Sequence, residues 1–300
     1  MNKDCERERL LTIMVTKEYT QEEPEQLVEL YMDLKVYLGA NDSSLSEANQ
    51  FSLMEMLFYL SVFMSKDVKA QVLFNTLRDR FGNNSPKLQV MHATLLQINE
   101  NDTAAITYLE NLLKKELEYS SDTTSYVMIM KKLISIKMVH DNSKNKTVTL
   151  KQLVELTEKF PLEPELWWML GEIYMNLKDF DRAIYCFEEI LCIMPFNYVA
   201  FAQLAESLYY KAKSMSHSSK AKVELRKEIV QKSMNNALRS IELSGLYLKG
   251  WSMVAITSQE LGPKHVKIAL LAKRKLQEIS TVSNAKDQIT AKYLLEKVYA

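Results

Sequence analysis

Glycine and proline are scarce in this chain, with six of each among 300 residues. Sheet-rich folds use both freely in tight turns, so their scarcity excludes a fold of many short strands and leaves long helices with brief connections. Net charge is absent as well, 38 Lys and Arg against 38 Asp and Glu, so no global field draws the chain onto nucleic acid. The three cysteines, Cys5, Cys186 and Cys192, are an odd number without metal-ligand spacing, and a reduced compartment suits them. No apolar run approaches the roughly 20 residues that cross a bilayer. The most apolar stretch, Phe51 to Met64, contains Glu55. The opening "MNKDCERERL" is charged where a secretory signal would be apolar, so the chain is expected to stay on the cytosolic side of any membrane.

Chemistry is missing too. His92, His140, His217 and His265 are scattered without ligand spacing, and neither a phosphate-binding glycine loop nor a serine elbow occurs. No catalytic residue, cofactor or metal ligand is therefore expected.

What the chain does hold is 47% hydrophobic and 25% charged residues, the balance of a soluble globular protein. Its clearest pattern lies in "ELWWMLGEIYMNLKDFDRAIYCFEEILCIMP", Glu165 to Pro195. Counted from Pro164, the residues Trp167, Leu170, Gly171, Tyr174, Ala183, Phe187 and Pro195 occupy positions 4, 7, 8, 11, 20, 24 and 32 of a tetratricopeptide repeat. Ile190 stands where a small residue is usual. A glycine inside a helix costs about 1 kcal/mol relative to alanine, which implies close approach of a second helix. The repeat predicts that Gly171 and Ala183 form this contact, with large residues at 4, 7, 11 and 24 filling the flanks.

One such unit cannot bury its own apolar face. Neighbouring units are marked by Leu57, Ala70, Phe74 and Leu77, then by Ala93, Leu96, Ala105, Leu109 and Leu112. Tyr126, Ile129 and Leu133 suit a first helix whose partner carries Leu153 and Leu156; further on, Phe201, Leu204, Ala205 and Leu208 lead to Ala237 and Ile241, and Trp251, Val254 and Ala255 to a stop at Gly262 and Pro263. The expected fold is all-α, a tetratricopeptide α-solenoid, a superhelix of antiparallel helix pairs with flanking terminal helices. It is expected as a single solenoid over 1–300. N-terminal helices fill 1–50, about six helix pairs fill 51–282 with insertions near 140–147 and 211–232, and a C-terminal helix fills 283–300.

Positions 2, 5, 9, 12 and 13 of each first helix line the concave face of such an array. They supply a candidate partner-binding groove: Glu165, Trp168, Glu172, Met175 and Asn176, then Glu206, Tyr209 and Tyr210. The aromatics are surplus to the repeat core and suit binding anchors, with Glu172 and Glu206 available to a basic ligand. The alternative is that neighbouring helices or the insertion cover them. The Lys and Asn clamp with which some tetratricopeptide proteins hold acidic chaperone tails is absent, since positions 5 and 9 hold residues such as Trp168, Ala202, Glu172 and Glu206. Basic residues gather at Lys211 to Lys232 and in the acid-free "PKHVKIALLAKRK", a pattern open to lipid phosphates, an acidic partner or plain solvation.

The segments "TIMVTKEYT", "FSLMEMLFYL", "NTLRDRFG", "TLLQIN", "YLENLL", "ELWW", "LCIMPFNY" and "NALRSIELSGLYLKGW" resemble, in order and from about residue 8 to 296, the family of endoplasmic reticulum membrane protein complex subunit 2, especially its fungal members. The resemblance implies a non-enzymatic tetratricopeptide scaffold, peripheral on the cytoplasmic face of the endoplasmic reticulum. It implies a part in a complex that inserts tail-anchored and multipass proteins, with membrane contact through partners, notably the cytosolic parts of subunits 3 and 5. The alternative is a free cytosolic adaptor or co-chaperone that binds peptide segments of clients.

Overall fold

The computed structural model describes the whole chain apart from residues 1–2, 21–22, 41, 83, 120–122, 141–145, 216–219, 283–284 and 300. The described residues form fifteen α-helices and two short 3-10 turns, with no strand among them. They gather into two compact units, Met1–Ser143 and Lys144–Ala300.

The first unit holds α1 (Lys3–Thr16), α2 (Pro24–Gly39), α3 (Glu47–Phe63), α4 (Asp67–Phe81), α5 (Pro86–Asn99), α6 (Asp102–Tyr119) and α7 (Thr123–His140). Leu10, Leu30, Leu34, Leu53 and Leu60 knit α1 and α2 onto α3 as one buried cluster. Beyond it the pairs follow in turn. Phe58 and Ala70, twelve residues apart, share a cluster across α3, α4 and α5, while Ala93 and Ala105 share the next across α5, α6 and α7. In each case the second helix presents an alanine, and a side chain that small lets the helices approach closely.

The second unit holds α8 (Lys146–Lys159), α9 (Pro164–Asn176), α10 (Phe180–Ile193), α11 (Tyr198–Ser214), α12 (Lys220–Leu243), α13 (Leu248–Leu261), α14 (Val266–Val282) and α15 (Ala285–Val298). Each helix packs on the next, and α11 also touches α13, as α13 touches α15. Contact with the next helix but one is what stacked antiparallel pairs produce, first helices forming one wall and second helices the other. Of the two expected insertions, 141–145 and 216–219 lie outside the described residues, and 220–232 is the first half of α12.

Gly171 is closely approached by a second helix, as its place in the repeat requires. A Cβ on Gly171 would stand 2.8 Å from Cζ and 2.9 Å from Cε1 of Phe187. The ring at position 24 presses on the glycine from α10, and Ala183, one turn earlier on the same helix, is fully buried. Trp167 flanks the crossing, its ring edge-on to Tyr185 of α10 at 5.8 Å. The inward stripe of α9 is Leu166, Leu170, Gly171 and Tyr174, and Trp167 is half-exposed at its edge. There its indole Nε1 donates to the Pro161 carbonyl at 2.8 Å. Trp251 repeats the arrangement on α13, donating to the Gly245 carbonyl at 2.8 Å. In both, the indole ties the start of a helix to the loop six residues before it.

Gly250 supplies a second close approach. A Cβ there would lie 2.7 Å from Cγ2 of Ile241, so α13 meets α12 with almost no gap. Ser240 and Ser233 of α12 donate to the Tyr198 and Ala205 carbonyls at 2.7 and 2.5 Å, holding α12 onto α11 through small polar side chains.

Helix ends are closed without much glycine. Lys178, with φ of 61°, sits just past α9; its N–H donates to the Met175 carbonyl and that of Asp179 to the Tyr174 carbonyl at 2.9 Å. Ser65, with φ of 53°, does the same after α3, where Lys66 reaches the Ser61 carbonyl at 2.8 Å. Both are the two-bond terminator usually built on glycine.

Candidate partner-binding groove

The groove begins with helix phase. Pro164 opens α9 and Asn197 caps α11, its side chain accepting from the Ala200 N–H at 3.0 Å. With those starts fixed, Glu172, Met175 and Asn176 of α9 face Glu206 and Tyr210 of α11. Between them lies an open cavity of about 600 Å³, completed by Lys178, Phe180, Phe187 and Gln203. A second cavity of about 290 Å³ continues from Glu206 and Tyr210 along α13, with Tyr209 on one side and Leu294 of α15 on the other. Glu206 and Tyr210 border both, so the two hollows form one cleft along α9, α11 and α13.

Of the residues expected from repeat positions, Glu172, Met175, Asn176, Glu206, Tyr209 and Tyr210 line this cleft. Glu165 is exposed at the start of α9 and lines neither hollow. Trp168 also stays off the lining but buttresses it. Its Nε1 donates to the Glu172 carboxylate at 2.9 Å, and its ring meets Phe187 edge-on at 5.6 Å. The Ser207 hydroxyl stands 3.1 Å from the Met175 sulfur, joining α9 to α11 along the floor.

Two expectations about the site change. Glu206 is not free for a ligand, because Lys249 Nζ lies 2.7 Å away and also bonds the Gln203 side chain. Tyr209 is engaged too: its hydroxyl bonds Glu260, which in turn pairs with Arg226 of α12. Burial first, then the charge of Glu260 and the hydrogen bond to it, push the Tyr209 hydroxyl up to about 12. Tyr210 is the open aromatic, 43% exposed and stacked on Phe180 at 5.9 Å between ring centres. Sequence reasoning missed Lys178, Phe180, Gln203 and Lys249, which sit off the periodic positions. Lys249 is reachable only through packing of α13 on α11.

Among the described residues there is no cluster of side chains able to hold a metal ion. What the cleft offers is one aromatic face, a carboxylate at Glu172 and a cation at Lys178, in an open trough suited to an extended or helical segment.

The tetratricopeptide repeat family model matches residues 164–197. Among curated proteins, ER membrane protein complex subunit 2 of Saccharomyces cerevisiae is 53% identical over 299 residues, covering 99% of this chain and all of that one. TPR repeat protein oca3 of Schizosaccharomyces pombe is 23% identical over 240 residues, covering 79% of this chain and 76% of the relative. The solved structure of pilF from Pseudomonas aeruginosa superposes with a TM-score of 0.51 at 12% identity, covering 81% of this chain and 97% of that one, a likeness of fold alone. With identity above one half sustained from end to end, this chain belongs to the ER membrane protein complex subunit 2 family.

Proposed function

We propose that the chain is a non-enzymatic scaffold on the cytoplasmic face of the endoplasmic reticulum, where it holds membrane subunits together and so supports insertion of tail-anchored and multipass proteins. The observation that carries this reading is the end-to-end identity to a subunit of a membrane protein complex. The cleft supports it by supplying a surface on which a segment of a partner can lie. No helix among the described residues is long and apolar enough to cross a membrane, so attachment through partners is the natural arrangement. Cytosolic parts of subunits 3 and 5 are the proposed partners, one of their segments lying along Glu172, Lys178 and Tyr210.

The test is recovery of the tagged chain from detergent-solubilised membranes followed by size-exclusion. Co-elution with integral membrane proteins is expected, and its loss on Tyr210→Glu would place the cleft at the contact. A chain that elutes alone as a small species would overturn the scaffold and favour a free adaptor.

A further inference from the structure

α14 is buried on one side only. Ala272, Leu276 and Ile279 are fully covered by the rest of the unit. On the other side Val266, Leu270 and Leu271 are 50, 61 and 47% exposed, although the helix needs no second apolar stripe to pack. Cations stand among them. Lys264 precedes them, Lys267 stands between Val266 and Leu270, and Arg274 follows, and none of the three forms an ion pair among the described residues. Lys267, Leu271 and Arg274 follow one helical strip, with Val266 and Leu270 on the adjoining one.

From Pro263 to Gln277 there is no acidic residue. The first acid, Glu278, is taken by Lys275 at 2.7 Å, and Lys273 lies over the Tyr299 ring at 5.3 Å. The start of α12 approaches the same end of the unit through the Arg226–Glu260 pair, but Lys220 and Lys227 there alternate with Glu224 and Glu228. The uncompensated charge therefore belongs to α14.

We propose that this outer face of α14 rests on an anionic bilayer surface. Apolar side chains flanked by unpaired cations on the open side of a single helix are what an interfacial helix presents: the apolar groups enter the headgroup boundary and the cations meet lipid phosphates. An acidic protein segment would meet the same charges, yet it would need a trough for its own apolar side chains, and Val266, Leu270 and Leu271 protrude. Three cations and three apolar side chains make a weak, reversible contact. It would set the orientation of a subunit already held by partners, and it does not depend on the cleft.

The experiment is co-sedimentation of the full chain with vesicles of phosphatidylcholine alone or with roughly a third phosphatidylserine. Binding to the anionic vesicles is expected, released by salt, and weakened about tenfold by Lys267→Glu with Arg274→Glu. Leu270→Gln should weaken it as well, with the circular-dichroism melting curve unchanged in every variant. Equal sedimentation with both vesicles, or undiminished binding of the charge-reversed chain, would overturn the proposal. So would binding to polyglutamate in place of the anionic vesicles, which would assign the face to an acidic protein. None of these results bears on co-elution with membrane subunits, so the scaffold reading stands or falls separately.

Discussion

The ring of Phe187 lies directly against the backbone of Gly171, leaving 2.8 Å where a β-carbon would have to fit. Phe187 cannot retreat easily, since it is fully buried and Trp168 meets it edge-on. Alanine at 171 would gain about 1 kcal/mol of helix propensity, but overpacking costs about 1–3 kcal/mol. Gly171→Leu should thus destabilise clearly, by about 2–3 kcal/mol in urea unfolding. Pairing Gly171→Ala with Phe187→Leu should cost less than the sum of the two changes, because the smaller residue vacates the contested space. Strict additivity would mean the two do not meet.

Trp251 is buried and Trp167 half-exposed, although both indoles make the same bond to a preceding carbonyl. Replacing either by Phe removes that donor. Pro161 and Gly245 are both exposed, so water can take the place of either donor, and the difference lies in the indole volume that Phe leaves unfilled at the buried site. Trp251→Phe is expected to lose about 1–3 kcal/mol and Trp167→Phe about 0.5 kcal/mol. Equal losses in chemical denaturation would contradict the difference in burial.

Thiol labelling should divide the cysteines. Cys5 and Cys192 are exposed, whereas Cys186 is buried. Burial, reinforced by the charge of Glu189, raises the Cys186 thiol to about 12. At pH 8 a thiol reagent should modify two groups promptly and the third only after denaturant is added. Prompt reaction of all three would show that α10 opens readily.

Alkali should destabilise the second unit over a defined window. The Tyr209 and Tyr247 hydroxyls are both pushed from 10.0 up to about 12, mainly by burial. In that interval the folded chain holds protons that the unfolded chain has released, so stability is full below pH 10 and falls as pH rises toward 12. Tyr209→Phe should flatten the decline measured by fluorescence. An unchanged slope would exclude Tyr209 as a contributor.

Much of this was legible from residue spacing, and the reason is physical. Twelve-residue steps such as Ala93 to Ala105 reflect the length of a helix plus a tight turn, and the chain supplies small residues where two helices meet. Groove positions Glu172, Met175, Asn176 and Tyr210 followed from helical phase alone. Phase could not reveal who occupies the space opposite. The ring over Gly171, the Lys249 partner of Glu206 and the Glu260 partner of Tyr209 are set by how separate helices pack. Nor could spacing show that Val266, Leu270 and Leu271 face outward, because an apolar triplet in an amphipathic helix ordinarily faces inward.

Lys17, Ser65 and Lys178 each adopt a left-handed backbone within two residues of a helix end, where a residue with a β-carbon is strained by about 1 kcal/mol. A glycine at any of them should raise the melting point, so this economy with glycine keeps the solenoid softer than its topology requires. At Lys178 the same strain places a lysine on the lining of the cleft, a cation that glycine there would remove.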